Sequence, residues 1–327
     1  MGGKRKLNQI LFTDDTTIVN SQPRKRPRNN ANVCPGAFES DGSVIAFFRK
    51  GHWKKYYTKN GIEYHWHQAA VEIILDISQS YNSGRPPLLE ECKAKLDSLL
   101  KDAGNTSEIP DNINGPYEVT CSDGYKRKNA YKLKYAAWDQ VFILIEDHIP
   151  FLTLKKVQFE RTYRFMKEYM KGGMTSDQIK TFWDEMSKKK GYKRISSYQA
   201  QLIDLGALTG AYIADFLKGD GMVRIRRGHV VVQIGQLSSR TLLEKIVEKV
   251  LGIKDKYIYS DRSMELTGDN AKRFVQYILP YMNNMIEPKV IQVHLAREYW
   301  TIEHSTDPVD IQRRAEIPID MTDAKHK

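Results

Sequence analysis

The stretch IADFLKGDGMV, residues Ile213 to Val223, decides how this chain is read. An apolar run ends in Gly219-Asp220-Gly221 and restarts as the alternating, arginine-bearing MVRIRR. A helix C-terminus is the negative pole of the macrodipole, so an acid there is electrostatically misplaced. A lone Asp-Gly after an apolar helix is most often a plain helix stop. The sequence GAFESDGS, Gly36 to Ser43, repeats the arrangement: Asp41-Gly42 ends one pattern and a strand pattern follows.

Working outward, the two halves carry the same succession of patterns. After Asp41 come SVIAFFRKGHWKKYYTKNGIEYHWHQAAVEIILDISQS, a long hairpin around Asn60-Gly61, and a proline-started helix, PPLLEECKAKLDSLLKDAG. Strand candidates YEVTCS and AYKLKYAA follow, then helices over WDQVFILIEDHIPF and LKKVQFERTYRFMKEYM. In the second half LIDLGALTGAYIADFLKGDG reads as helix and MVRIRRGHVVVQIGQ as a tight hairpin turning at Arg227-Gly228. RTLLEKIVEKVLG, the strands of KYIYSDRSMELTG, DNAKRFVQYILPY capped by Asp269 or Asn270, and EPKVIQVHLAREYW complete the order. Nineteen residues separate Pro150 from Tyr169 and also Pro280 from Tyr299, so the repeats align there without gaps. The expected organisation is a basic arm at 1–28, a first unit at 29–172, a linker at 173–201 with a short helical patch (QIKTFWDEM), a second unit at 202–305 and a polar tail at 306–327.

Gly206, Gly210 and Ala214 recur every fourth residue, and glycine costs about 1 kcal/mol in a helix interior. Close approach of another helix is a reason for them, and the equivalent helix bears Gly36 and Ala37. Two such helices about a pseudo-twofold axis bring Asp41 and Asp220 together, with the Ser40 and Gly219 carbonyls beside them. Two carboxylates with carbonyls form a hard-oxygen site suited to Mg²⁺. Ser78-Gln79 and Gly235-Gln236 close the second strand of each unit, at spacings of 38 and 16 residues from their aspartates. Unequal hairpins account for that difference.

GAFESDGS and IADFLKGDGM resemble the two signature motifs of the LAGLIDADG homing endonucleases, in their single-chain, two-motif form. The resemblance spans most of residues 30–305 and implies an α+β fold: two αββαββα units forming an antiparallel β saddle. It implies that Asp41 and Asp220, with Ser40 and Gly219, hold two or three Mg²⁺ ions, with Mn²⁺ or Ca²⁺ as substitutes and Ca²⁺ not supporting cleavage. It implies that Gln79 and Gln236 order catalytic water and that Lys155 is the basic residue near the scissile phosphates. Pro35 tolerates only a first-turn position, so the first motif helix is expected to be short or kinked. Asp215 and Lys218 replace a usual glycine and acid, and Lys218 has no explanation in sequence. In the ungapped overlay Met285 stands opposite Lys155, which leaves the second site without its lysine; Lys289 is the residue that could reach in.

The formal net charge of +11 favours a polyanionic partner, nucleic acid or an acidic membrane surface, and the resemblance implies double-stranded DNA. Strand residues of one parity suit a major groove. The candidate DNA contacts are Ser43, Ile45, Phe47, Arg49, Lys50, Lys54, Lys55, Lys59, Asp76, Lys126, Arg127, Lys128, Arg224, Arg226, Arg227, Gln233 and Arg262. PRKRPR, Pro23 to Arg28, reads equally as a nuclear import signal, a backbone-binding arm or a solvated run. Cys34, Cys92 and Cys121 form no C-x-x-C pair, which fits a reducing, intracellular compartment. No run is apolar enough to span a bilayer. His65-x-His67 lacks a third metal ligand. The expected function is a metal-dependent, site-specific double-strand endonuclease serving gene mobility, acting as a monomeric pseudo-dimer. The alternatives are an RNA maturase assisting intron splicing, with intron RNA as partner, and a DNA-binding regulator with an inactive site.

Overall fold

The computed structural model describes residues 33–49, 52–58, 61–67, 70–81, 84–105, 109–118, 129–172, 174–175, 177–182, 203–235, 240–252, 258–260 and 263–326, with the backbone alone at 46–49, 52–58, 61–67, 70, 258–260 and 325–326. Helix α1 (Pro35–Asp41) leads into β1 (Gly42–Arg49), β2 (His52–Thr58), β3 (Gly61–His67) and β4 (Ala70–Ser80). Helix α2 (Pro87–Asp102), strands β5 (Ile113–Tyr117) and β6 (Ala130–Tyr135), and helices α3 (Trp138–His148) and α4 (Lys156–Met170) complete the first unit. The second repeats it: α5 (Gly210–Asp220), β7 (Gly221–Arg226), β8 (His229–Gly235), α6 (Arg240–Leu251), β9 (Ile258–Ser260), β10 (Ser263–Thr267), α7 (Gly268–Ile278) and α8 (Pro288–Thr301). Helix α9 (Pro308–His326) follows.

The sheets have the same antiparallel topology, β1-β4-β6-β5 and β7-β8-β10-β9. The register matches as well, since Ser43 pairs Asp76 where Met222 pairs Gln233. Each unit has its own core. Leu88, Leu89, Cys92, Leu96, Leu99 and Leu100 turn one face of α2 inward, as their spacing requires. Ala271, Phe274, Val275 and Ile278 do so for α7.

Local chemistry sets the boundaries. Helix α5 starts at Gly210 because the Thr209 side chain caps it, accepting from the Tyr212 amide at 3.1 Å. The helical reading from Leu202 therefore does not hold, and Gly206 lies outside the helix. Pro35 sits at the start of α1, which has only seven residues, so the first motif helix is short as expected. The hairpin turn at Arg227-Gly228 has φ of 52° and 78°, the left-handed pair that a two-residue turn requires. The long first hairpin is interrupted: β1 pairs β4, and β2 pairs β3 as a separate ribbon closing at Thr58 and Gly61.

Three expectations change. Strand β5 starts at Ile113, in INGPY, rather than at Tyr117, and of YEVTCS only Tyr117 and Glu118 lie within the described residues. Thr267 precedes α7 as its cap, with no capping hydrogen bond from its side chain, while Asp269 and Asn270 lie inside the helix. The helical patch expected in the linker is present over 177–182, where Ile179 is buried in the first core and Phe182 stacks on Phe165 at 3.8 Å. The polar tail is helix α9, whose Ile317 and Met321 enter the second core. Their four-residue spacing puts one apolar stripe against α8, and Gln292 donates to the Met321 carbonyl at 3.1 Å.

Candidate active site

Helices α1 and α5 pack against each other at the join of the two units. Their glycines explain how closely. A Cβ at Gly36 would lie 2.2 Å from the Tyr212 carbonyl oxygen and 2.7 Å from the Phe216 nitrogen. A Cβ at Gly219 would lie 2.2 Å from Ser40 Oγ and 2.7 Å from Asp41 Oδ2. No side chain fits either gap without backbone movement. The close-contact glycines are thus Gly36 and Gly219, not Gly206 and Gly210; Gly210 faces the Tyr281 ring instead.

This packing sets Asp41 beside the end of α5, next to Asp220. Burial and then the Asp220 charge push the Asp41 carboxyl up to about 7. Burial pushes Asp220 up to about 6, against the opposing pull of Lys155 and Lys289. Two carboxylates that resist ionising together are a place where added positive charge is favourable. A divalent cation fits that electrostatic deficit. Among the described residues no cluster of three or more His, Cys, Asp or Glu gathers, so remaining ligands must come from backbone oxygens, water or a bound phosphate. Ser40 Oγ is already committed to the Ala37 carbonyl at 3.2 Å.

Each acid has a lysine beside it. Lys155 Nζ donates to the Phe38 carbonyl at 2.6 Å and to the Gly42 carbonyl. Lys289 Nζ donates to the Gly221 carbonyl, which is the matching position. The second site therefore has its lysine, and Met285, opposite Lys155 in the ungapped overlay, is an exposed loop residue. The overlay misled because the connections differ: Lys155 immediately precedes α4, whereas Lys289 is the second residue of α8.

Lys218 is explained as well. Its ammonium, 1% exposed, reaches Glu91 Oε2 at 3.0 Å and Asp215 Oδ1 at 3.1 Å. Lys95 pairs Glu91 at 2.8 Å, so two acids and two lysines, with Lys218 and Asp215 buried and Glu91 and Lys95 half-buried, join α2 of one unit to α5 of the other. Burial disfavours the Lys218 charge, but Asp215 and Glu91 outweigh it and raise its pKa.

On the strands, Arg226 makes a two-pronged pair with Glu265, and Arg224 reaches Gln233 at 3.5 Å and Glu265 at 3.7 Å. Glu265 is thus a strand-face residue that sequence reasoning missed; its signal is its register opposite Gln233. Arg227 occupies the turn. Asp76 is buried and accepts from Ser43, so both side chains already have partners; Ile45 is half-buried. Phe47, Arg49, Lys54 and Lys55 are placed on β1 and β2 by backbone alone. Lys50, Lys59, Lys126, Arg127, Lys128, Gln236 and Arg262 lie outside the described residues. Gln79 lies two residues beyond Ile77, the partner of Gly42, and its Oε1 is buried without a hydrogen bond. That orphaned acceptor next to the start of β1 is suited to an ordered water.

A pH dependence follows for the metal-free protein. In the unfolded chain both aspartates ionise near 3.8, while the fold holds them protonated to about 7 and about 6. The native state then binds more protons, so their contribution lowers stability as pH rises from about 4 to about 7. Denaturant midpoints in chelator across that window should fall more for wild type than for the Asp41→Asn/Asp220→Asn variant. The comparison cancels the buried Glu39 and Glu287, whose pKa values are also raised by burial. Equal slopes for the two proteins would contradict the assignment.

No family model matches the sequence, and no curated protein matches it. Solved structures match in fold. The I-SmaMI LAGLIDADG homing endonuclease bound to cleaved DNA aligns with TM-score 0.54 and 12% identity, over 89% of this chain and 96% of that chain. The I-LtrWI LAGLIDADG homing endonuclease bound to target DNA aligns with TM-score 0.51 and 13% identity, over 87% and 94%. The chain has the single-chain LAGLIDADG homing endonuclease fold.

Proposed function

We propose that this chain is a member of the LAGLIDADG homing endonucleases: a divalent-metal-dependent, site-specific double-strand DNA endonuclease that acts as a monomeric pseudo-dimer. The observation that carries the proposal is the pairing of Asp41 and Asp220 where α1 and α5 meet, each with a lysine on the adjacent backbone carbonyl. Bound Mg²⁺ would supply a Lewis acid and an activated water for phosphodiester hydrolysis. Asp41 and Asp220 would hold it, with the Ser40 and Gly219 carbonyls at hand. Lys155 and Lys289 would place positive charge near the two scissile phosphates. Gln79 and Gln236 would orient water. Arg224, Arg226 and Gln233, on the exposed side of β7 and β8, would read base edges, since guanidinium and carboxamide groups match purine edges. The net charge of +11 supports a duplex partner. Gene mobility is the biological role that suits such an activity.

The test starts from a random duplex library, from which the protein selects a bound sequence. A plasmid bearing that sequence should be linearised with Mg²⁺ and stay intact in chelator. Tight binding of an uncut plasmid, with both aspartates in place, would favour the DNA-binding regulator instead. A preference for intron RNA over the duplex would favour the maturase.

Lys289 gives a separate prediction. Lys289→Met should slow cleavage of one strand by about 10²-fold, a loss of the size seen for a single electrostatic stabiliser, and leave the other strand near wild type. A nicked plasmid should accumulate on a gel. Unchanged linear product would show that Lys289 is not the counterpart of Lys155.

A further inference from the structure

Two residues before each aspartate, the halves differ in charge: Glu39 precedes Asp41, and Lys218 precedes Asp220. Glu39 is 1% exposed, and its carboxylate turns to the segment carrying Lys155. Its Oε1 accepts from the Thr153 amide and from Thr153 Oγ1 at 3.1 Å, and its Oε2 from the Lys155 amide at 3.1 Å. Thr153 Oγ1 also lies 2.9 Å from the hydroxyl of buried Tyr212 on α5, so the second unit braces the same segment. Lys155 is therefore pinned at its amide by Glu39 and at its ammonium by the carbonyls flanking Asp41.

Lys218 cannot do this for Lys289. An ammonium accepts no hydrogen bond, and this one is directed at Glu91 and Asp215. A different acid stands in. Glu287 is 2% exposed, precedes α8, and accepts from the Lys289 amide through Oε1 at 3.5 Å, while its Oε2 has no hydrogen bond. The Glu39 carboxylate meets the start of α4 and Glu287 caps α8, so each carboxylate lies at the positive end of a helix, where it is favoured.

We propose that Glu39 and Glu287 are equivalent positioning residues, one for each lysine. The acid has moved from the motif helix in the first unit to the lysine's own loop in the second. The move releases the motif position for Lys218 to join the units through Glu91 and Asp215. The inference rests on the endonuclease reading for its kinetic consequence and on geometry alone for the placement of the lysines. Displacing a reacting group by about 1 Å can cost 10²-fold in rate.

The experiment uses full-length protein in excess over the selected duplex, with each strand end-labelled. Glu39→Gln should slow one strand by about 10- to 100-fold, and Glu287→Gln the other, with DNA affinity unchanged. A helix-capping acid with no such role would slow both strands alike or neither, and either result overturns the proposal. If Glu39→Gln melts near the assay temperature, Glu39→Asp replaces it, keeping the charge and withdrawing the carboxylate by one methylene. Hydrogen exchange without DNA or metal provides a readout apart from cleavage. Glu39→Gln should speed exchange at Thr153 and Lys155 and leave 287–289 unchanged; Glu287→Gln should do the reverse. A wild-type protein that binds but never cuts contradicts the endonuclease reading, and the exchange result then decides the positioning claim alone.

Discussion

Asp220→Asn is expected to leave the selected duplex bound and both strands uncut. Asparagine keeps the volume and one acceptor oxygen but removes the charge that attracts the cation. Metal stabilisation of a developing phosphoryl charge amounts to several kcal/mol, and each 1.36 kcal/mol is tenfold in rate. A loss of about 10³-fold or more should follow. Asp41→Asn should match it, although the residue belongs to the other unit, because a Gly219 Cβ would sit within 2.7 Å of Asp41 Oδ2 and the two acids share one junction. Single-turnover cleavage with and without Mg²⁺ measures both. Cleavage by either variant within tenfold of wild type would remove the acid pair from the chemistry.

Lys218→Met should cause the largest loss of stability. The substitution leaves buried Asp215 and half-buried Glu91 with Lys95 as their cation, 2.8 Å from Glu91 and 3.9 Å from Asp215. Removing one partner of a buried ion pair typically costs about 3–5 kcal/mol, because the remaining charge is desolvated and unpaired. Lys95 offsets part of that, so about 3 kcal/mol is expected by denaturant unfolding at pH 7. Adding Asp215→Leu should recover part of the loss by removing the stranded charge. A change under about 1 kcal/mol would mean that water reaches the group and that it does little to join the units.

Much of this architecture is legible in the sequence because periodicity carries it. The alternation through MVRIRRGHVVVQI and the Arg227-Gly228 turn appear in the structure as read, as does the order of helices and hairpins in both units. Errors fell where tertiary contact or local capping outweighs pattern. Gly206 and Gly210 looked like one helical stripe, yet Thr209 caps the helix between them. INGPY has no alternation, so the pattern places the start of β5 at Tyr117, four residues after its actual start at Ile113. Lys289 is hidden from an ungapped overlay, because equal spacing between Pro150/Tyr169 and Pro280/Tyr299 masks different helix starts. Lys218 cannot be interpreted from its neighbours in sequence alone, since one of its two acidic partners, Glu91, is 127 residues away. The Glu39 and Glu287 exchange likewise appears only once the loops are in place.

The most direct test follows the two strands of one duplex separately, with wild-type protein in excess and Mg²⁺ added to start the reaction. Two acids and two matched lysines at one junction predict that a single chain cuts both strands, at comparable first-order rates that do not change with protein concentration. Cleavage of one strand only, rates that rise with concentration once the duplex is saturated, or a duplex held tightly and never cut would contradict the account.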